Sequence, residues 1–127
     1  DRGVLVLIEA PSTTWATPTV YANGNRLTDI KSTGLNSNEV KAYADYEYVF
    51  LIPESLAWKD AGDGVDVRVV MELAAGVSSA TADPEVDFAV RGSVLSIDGV
   101  NVITGGTKDD SATTTIYAVY DMTVDVT

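Results

Sequence analysis

The chain has 127 residues, 46% of them hydrophobic, with 19 acidic against 8 basic residues for a formal net charge of −11, and it holds neither cysteine nor histidine. That apolar content suffices for one buried core and excludes a wholly disordered chain. Without Cys and His, disulfides, thiolate zinc sites, Cys–His pairs and the Ser–His–Asp arrangement are excluded within one chain.

The acidic balance also bears on partners. Arg2, Arg26, Lys31, Lys41, Lys59, Arg68, Arg91 and Lys108 are scattered singly. No basic patch offsets the repulsion of phosphate backbones, so no nucleic-acid partner is expected. Acidity suits solubility at high copy number, and the lack of cysteine suits persistence outside a cell. No apolar run approaches the roughly 20 residues of a membrane-spanning helix. The chain opens at Asp1 without a methionine, which fits a removed leader, maturation by a protease or an unrepresented start.

In chain order, Val4-Leu5-Val6-Leu7-Ile8 comes first. It is strand-sized, too short for an intact secretory signal, and continuously apolar, as expected of a strand covered on both faces. A Ser/Thr/Pro-rich stretch, Pro11–Pro18, carries Trp15. Weaker strand candidates follow at Thr19–Ala22, Arg26–Asp29 and Glu39–Tyr43, with Asn23-Gly24 between the first two as a tight turn needing positive φ. Tyr46–Ile52 is again nearly continuous in apolar residues. Pro53 to Trp58 fits a single helical turn, with proline tolerated at its start.

Strict alternation then takes over. In Val65–Leu73 the odd positions are apolar while Asp66, Arg68 and Glu72 point the other way. Val86–Arg91 and Ile116–Val126 repeat the pattern, and successive strand side chains face opposite sides of a sheet. Val94–Ile97 and Val100–Ile103 add two weaker strands around the turn Asp98-Gly99. The expectation is an all-β fold: an antiparallel, jelly-roll-like β-sandwich of about eight strands with at most one short helical turn. No long linker, internal repeat or low-complexity tract interrupts it, so residues 1–127 read as one domain.

Candidate sites are few. Asp60, Asp63 and Asp66 lie within seven positions beside two glycines, and clustered loop aspartates are how loops ligate calcium. Their spacing is not that of an EF-hand, however, and an acidic turn leading into the next strand accounts for them equally. Calcium is the one cofactor in question; otherwise none is expected. Asp109-Asp110 after Gly105-Gly106-Thr107-Lys108 lacks the phosphate-loop pattern and reads as an exposed loop. Carboxylates for glycoside hydrolysis are available in any such sandwich, but no nucleophile–base arrangement can be named, so no enzymatic activity is expected. Tyr46, Tyr48, Phe50 and Trp58 read mainly as core residues, and Trp15 as an interface candidate. The two ends, residues 3–9 and 115–127, are candidate assembly strands. Val4, Val6 and Ile8 in the first, and Tyr117 and Val119 in the second, are the contact candidates.

The stretch from Tyr48 to Val102 resembles small bacteriophage structural proteins of the capsid decoration or head-fibre type. The resembling run is an apolar strand ending in proline (Val49-Phe50-Leu51-Ile52-Pro53), Trp58 with the acidic Gly-rich loop to Gly64, the strand Val65–Leu73, a Ser/Ala/Thr/Asp loop, and the strand pair Val86–Arg91 and Val94–Ile97. Ile116–Val126 fits as the closing strand, while Val4–Pro18 has no counterpart. The resemblance covers about half the chain. It implies a non-enzymatic virion protein, often trimeric, located on the virion surface and contacting copies of itself and a major capsid protein. It brings no catalytic residues. Two other readings are an extracellular, cell-surface filament subunit assembled by strand donation, and a carbohydrate-binding module, which calls for a row of coplanar exposed aromatics.

Overall fold

The computed structural model describes residues 3–30, 43, 45–58, 64–83, 87–95, 101–102, 109–111 and 117–124. Nine strands and one helical turn are defined among them: β1 (Gly3–Glu9), β2 (Thr19–Ala22), β3 (Asn25–Arg26), β4 (Tyr48–Pro53), α1 (Glu54–Ala57), β5 (Val65–Glu72), β6 (Ala89–Leu95), β7 (Asn101–Val102), β8 (Asp109–Ser111) and β9 (Tyr117–Val124). They form two antiparallel sheets, ordered β4-β1-β6-β7 and β3-β2-β5-β9-β8. The expected all-β antiparallel sandwich is what the chain adopts. Its longer strands alternate between the sheets as the chain advances: β1, β4 and β6 in the first, β2, β5 and β9 in the second.

The alternating sequences set the shared core. Val65, Val67, Val69 and Met71 of β5 and Ala118, Tyr120, Met122 and Val124 of β9 point inward, and all are buried. They meet Val4, Val6 and Ile8 of β1, Phe50 and Ile52 of β4, and Val90 and Val94 of β6 in one cluster. Full burial of each such side chain contributes about 1.5–3 kcal/mol. Phe88 stands between Trp15 and Tyr120, edge-on to both, with ring centroids 5.2 and 4.4 Å away. Such T-shaped pairs favour the positive ring edge against the negative face.

Sheet one has a second, smaller core on its outer side. Leu5 and Leu7 of β1 and Val49 of β4 gather there with Tyr43, and Ile30, Tyr46 and Leu51 pack against them. Tyr43, Tyr46 and Glu47 are tied down by the Glu47 amide donating to the Ile8 carbonyl at 3.1 Å and by the Tyr46 amide donating to the Tyr43 carbonyl at 3.1 Å. A buried hydrogen bond of 2.7 Å joins the Tyr43 hydroxyl to Ser93 Oγ on β6. Strand β1 is therefore buried on both faces, as its uninterrupted apolar sequence leads one to expect.

Local chemistry explains the turns. Asn23 and Gly24 take φ of 46° and 82°, the paired positive values that a two-residue hairpin turn requires. The Asn25 side-chain amide donates to the Ala22 and Asn23 carbonyls, each at 3.2 Å, and so secures the turn. After Pro53, α1 closes with the Trp58 amide donating to the Glu54 carbonyl at 3.0 Å, the single turn expected from the sequence.

Several expected elements differ in extent. In place of two strands at Val86–Arg91 and Val94–Ile97 there is one continuous strand, β6 (Ala89–Leu95), which runs through Gly92 and Ser93. Asp87 and Phe88 precede it, and Val86, Ser96 and Ile97 lie outside the described residues. Gly92 faces inward, where a Cβ would collide with Val124 Cγ2 on the opposing sheet, so the glycine marks close sheet approach rather than a break. Arg26–Asp29 is not one strand. Arg26 ends β3 in sheet two, whereas Asp29 bridges to Phe50 in sheet one. Asp109 and Asp110, expected as loop, belong by backbone to β8 against β9. Of Glu39–Tyr43 only Tyr43 is described, and it lies in a turn. Asp98-Gly99 lies outside the described residues.

Candidate functional site

The outer side of sheet two is the face that the described chain leaves open. Its outward positions are Thr19 and Tyr21 on β2, Asp66, Arg68, Val70 and Glu72 on β5, and Tyr117, Val119, Asp121 and Thr123 on β9. All are exposed or half-buried. An open groove of about 740 Å³ runs over it, with Tyr21, Gly24, Asp66, Arg68, Asp121 and Thr123 among its walls. That volume falls within the general range of ligand-sized clefts.

Antiparallel register arranges these side chains in rows across the strands. Asp66 stands opposite Thr123, and Arg68 stands between Tyr21 and Asp121. Val70 lies between Thr19 and Val119, and Glu72 opposite Tyr117. Directly opposed side chains on one face are the contacting unit of a sheet. Arg68 holds Asp121 in a bidentate pair, Nε to Oδ1 at 2.7 Å and Nη2 to Oδ2 at 3.2 Å. That hydrogen bond, together with the charge of Asp121, raises the Arg68 pKa above its ordinary value. Thr123 Oγ1 donates to Asp66 Oδ1 at 3.0 Å. The Asp66 amide donates to Asn23 Oδ1 at 2.9 Å, and the Asn23 amide returns a bond of 2.8 Å to the Asp66 carbonyl, so the β2–β3 turn is anchored at the rim.

The residues singled out from sequence fall into three groups. Tyr117 is 39% exposed, and with half-buried Val119 it lies on this face. Val4, Val6 and Ile8 are fully buried, in a strand hydrogen-bonded to β4 on one edge and β6 on the other. Contact between these side chains and a neighbouring subunit would require β1 to leave its own sheet. Trp15, expected at an interface, is interior instead. It bridges to Leu73 while the Ala16 amide donates to the Glu72 carbonyl at 2.8 Å and the Ala74 amide to the Thr14 carbonyl at 2.9 Å, so the 14–16 segment lines up beside the end of β5.

Of the calcium candidates, Asp60 and Asp63 lie outside the described residues, and Asp66 is on the solvent side of β5 with Thr123 as hydrogen-bond donor. Among the described residues no group of three His, Cys, Asp or Glu side chains is placed to hold a metal. No described helix is long and apolar enough to cross a membrane.

Sequence reading missed Tyr21, Asp121 and Thr123 as members of one face. The outward positions of each alternating strand were visible, but the pairing of β2, β5 and β9 was not. Compared with known protein families, curated proteins and solved structures, the chain gives no match.

Proposed function

We propose that the chain is a non-enzymatic structural protein of a virus particle, an auxiliary capsid or fibre subunit that works by binding neighbouring subunits. The observation carrying the binding role is the inequality of the two sheets. The central strand of sheet one, β1, is covered on both faces by its own chain, while the central strand of sheet two lies under an open outer face with Tyr21, Val70, Tyr117 and Val119 partly exposed among charged residues. Tyrosines on a rigid sheet supply contact area at little entropic cost.

The virion setting is supported by the resemblance of the Tyr48–Val102 run, in which the proline-ended strand, Trp58 and the strand after Gly64 correspond to β4, α1 with its flank, and β5. In this reading assembly uses side chains of the open face, and β1 keeps its place at the centre of its sheet. Acidic outer positions hold the particle in solution. Electron microscopy and sedimentation of the purified chain, alone and mixed with a capsid shell from the same source, test the reading. Oligomers or decorated shells are expected. A monomer that ignores its shell at all concentrations would overturn it.

A further inference from the structure

The rows on the open face have a charge pattern as well as a shape. Outward positions along β5 recur every second residue, about 6.6 Å apart. An extended polypeptide laid along β5 would thus meet Asp66, Arg68, Val70 and Glu72 in turn. Arg68 is the basic side chain among the described outward positions of β2, β5 and β9, and Asp121 already engages its guanidinium through two bonds. Among the described residues the Asp66 carboxylate accepts from Thr123 alone, through its Oδ1. The Glu72 carboxylate has no hydrogen-bond or ion-pair partner among the described residues, its backbone carbonyl alone accepting from Ala16 outside the ladder. The ring of Tyr21 lies beside the Arg68–Asp121 pair, and Val70 and Val119 form an apolar row between the acidic ones.

We infer that this face docks a basic segment of the partner subunit, an extended stretch with Lys or Arg alternating with small apolar residues. The inference rests on the assembly reading above and names the chemistry of what is bound. Charge complementarity selects the occupant. Asp66 and Glu72 would take cationic heads at the two ends of β5, and the Tyr21 ring offers a cation its negative face. Val70 and Val119 would receive the aliphatic stems or the intervening apolar residues. A free cation pays little desolvation at such an exposed rim, and complementary charge fixes partner choice and orientation.

The test is fluorescence anisotropy of the intact chain with a labelled peptide of alternating lysine and valine. The double variant Asp66→Lys with Glu72→Lys is compared with Glu9→Lys with Asp45→Lys. The second pair makes the same change in net charge at exposed positions away from the face. Binding that falls about tenfold or more in the first variant and less than about threefold in the second is expected. Arg68→Gln, which removes the opposing charge and frees the Asp121 carboxylate, should tighten binding, an effect that no loss of folding could imitate. Equal weakening by both double variants would overturn the inference, since diffuse acidity would then suffice. So would an absence of peptide binding, or a glycan array in which uncharged oligosaccharides bind this face instead. Sedimentation of the first double variant separates the two readings: assembly that persists while the peptide is lost removes this face as the contact but leaves the assembly reading standing.

Discussion

The central strands of the two sheets solve different problems. Strand β1 in sheet one is apolar at every position from Val4 to Ile8, and all of these are buried. Strand β5 in sheet two alternates, with Val65, Val67, Val69 and Met71 inward and Asp66, Arg68 and Glu72 exposed. The outer side of β1 is sealed by Tyr43, Ile30 and Tyr46, whereas the outer side of β5 meets solvent. The difference divides the sandwich in two: the central strand of one sheet is held between two cores, and that of the other packs on one core and leaves its outer face to solvent.

The sharpest way to break this comparison is to truncate equivalent outward positions. Leu7→Ala on β1 removes a fully buried side chain from the small outer core, and a loss of about 2–5 kcal/mol is expected in denaturant unfolding. Val70→Ala on β5, half-buried on the open face, should cost less than about 1 kcal/mol. Similar losses at both sites would mean that the face of β5 is covered too.

Next in size is the tether over sheet one. Tyr43→Phe leaves the hydroxyl of Ser93, which is fully buried, without its partner, a loss of about 1–3 kcal/mol. Tyr43 also predicts a pH effect. Burial raises its pKa above the ordinary 10.0, outweighing the hydrogen bond to Ser93 that lowers it, and Tyr46 nearby adds to the rise. The folded chain therefore holds this proton more tightly than the unfolded chain. Its contribution is complete below about pH 10 and is lost as pH climbs from there through the higher folded value. Melting temperatures measured from pH 8 to 12 should show this alkaline decline in the native chain and less of it in Tyr43→Phe. An identical decline in both would remove Tyr43 as its source.

These differences bear on how much could be read from the chain alone. Burial on one face or two is written locally, in the run Val4–Ile8 against the alternation Val65–Leu73, and so was legible. The Asn23-Gly24 turn was legible for the same reason, because only a few residue types accept positive φ. What could not be read is pairing at a distance. Trp15 sits among Ser, Thr and Pro, yet contacts with Leu73 and Phe88 bring it inside. Val86–Arg91 and Val94–Ile97 read as two strands with Gly92 and Ser93 between them, because the reason for that glycine, Val124 across the sandwich, lies over thirty positions away. The open face was missed likewise: Tyr21, Arg68 and Asp121 become neighbours only once β2, β5 and β9 are in register.

A smaller effect sharpens the same contrast at the edge of the open face. Gly24 has φ of +82° with nothing near the position of a Cβ. Gly24→Ala therefore meets no clash, and its cost is that of the left-handed backbone alone, about 1–2 kcal/mol. Urea unfolding should show this with an unchanged m-value, since the hairpin is strained and not lost. A larger loss with a changed m-value would mean that the turn holds β2 against β5, through the Asn23–Asp66 bonds.

The smallest effect is expected at the most conspicuous ion pair. Arg68 and Asp121 are joined at 2.7 Å, but their side chains are 59% and 43% exposed. Water and salt screen such a pair, and ordering two mobile side chains offsets much of the attraction. Arg68→Gln should leave the melting temperature unchanged within measurement scatter at both low and high salt, even though the bond is short and bidentate. A clear drop that salt abolishes would show that the open face helps to hold sheet two together. If instead stability is indifferent while partner binding responds, the pair belongs to recognition: a shape and charge kept on a surface whose folding does not need them.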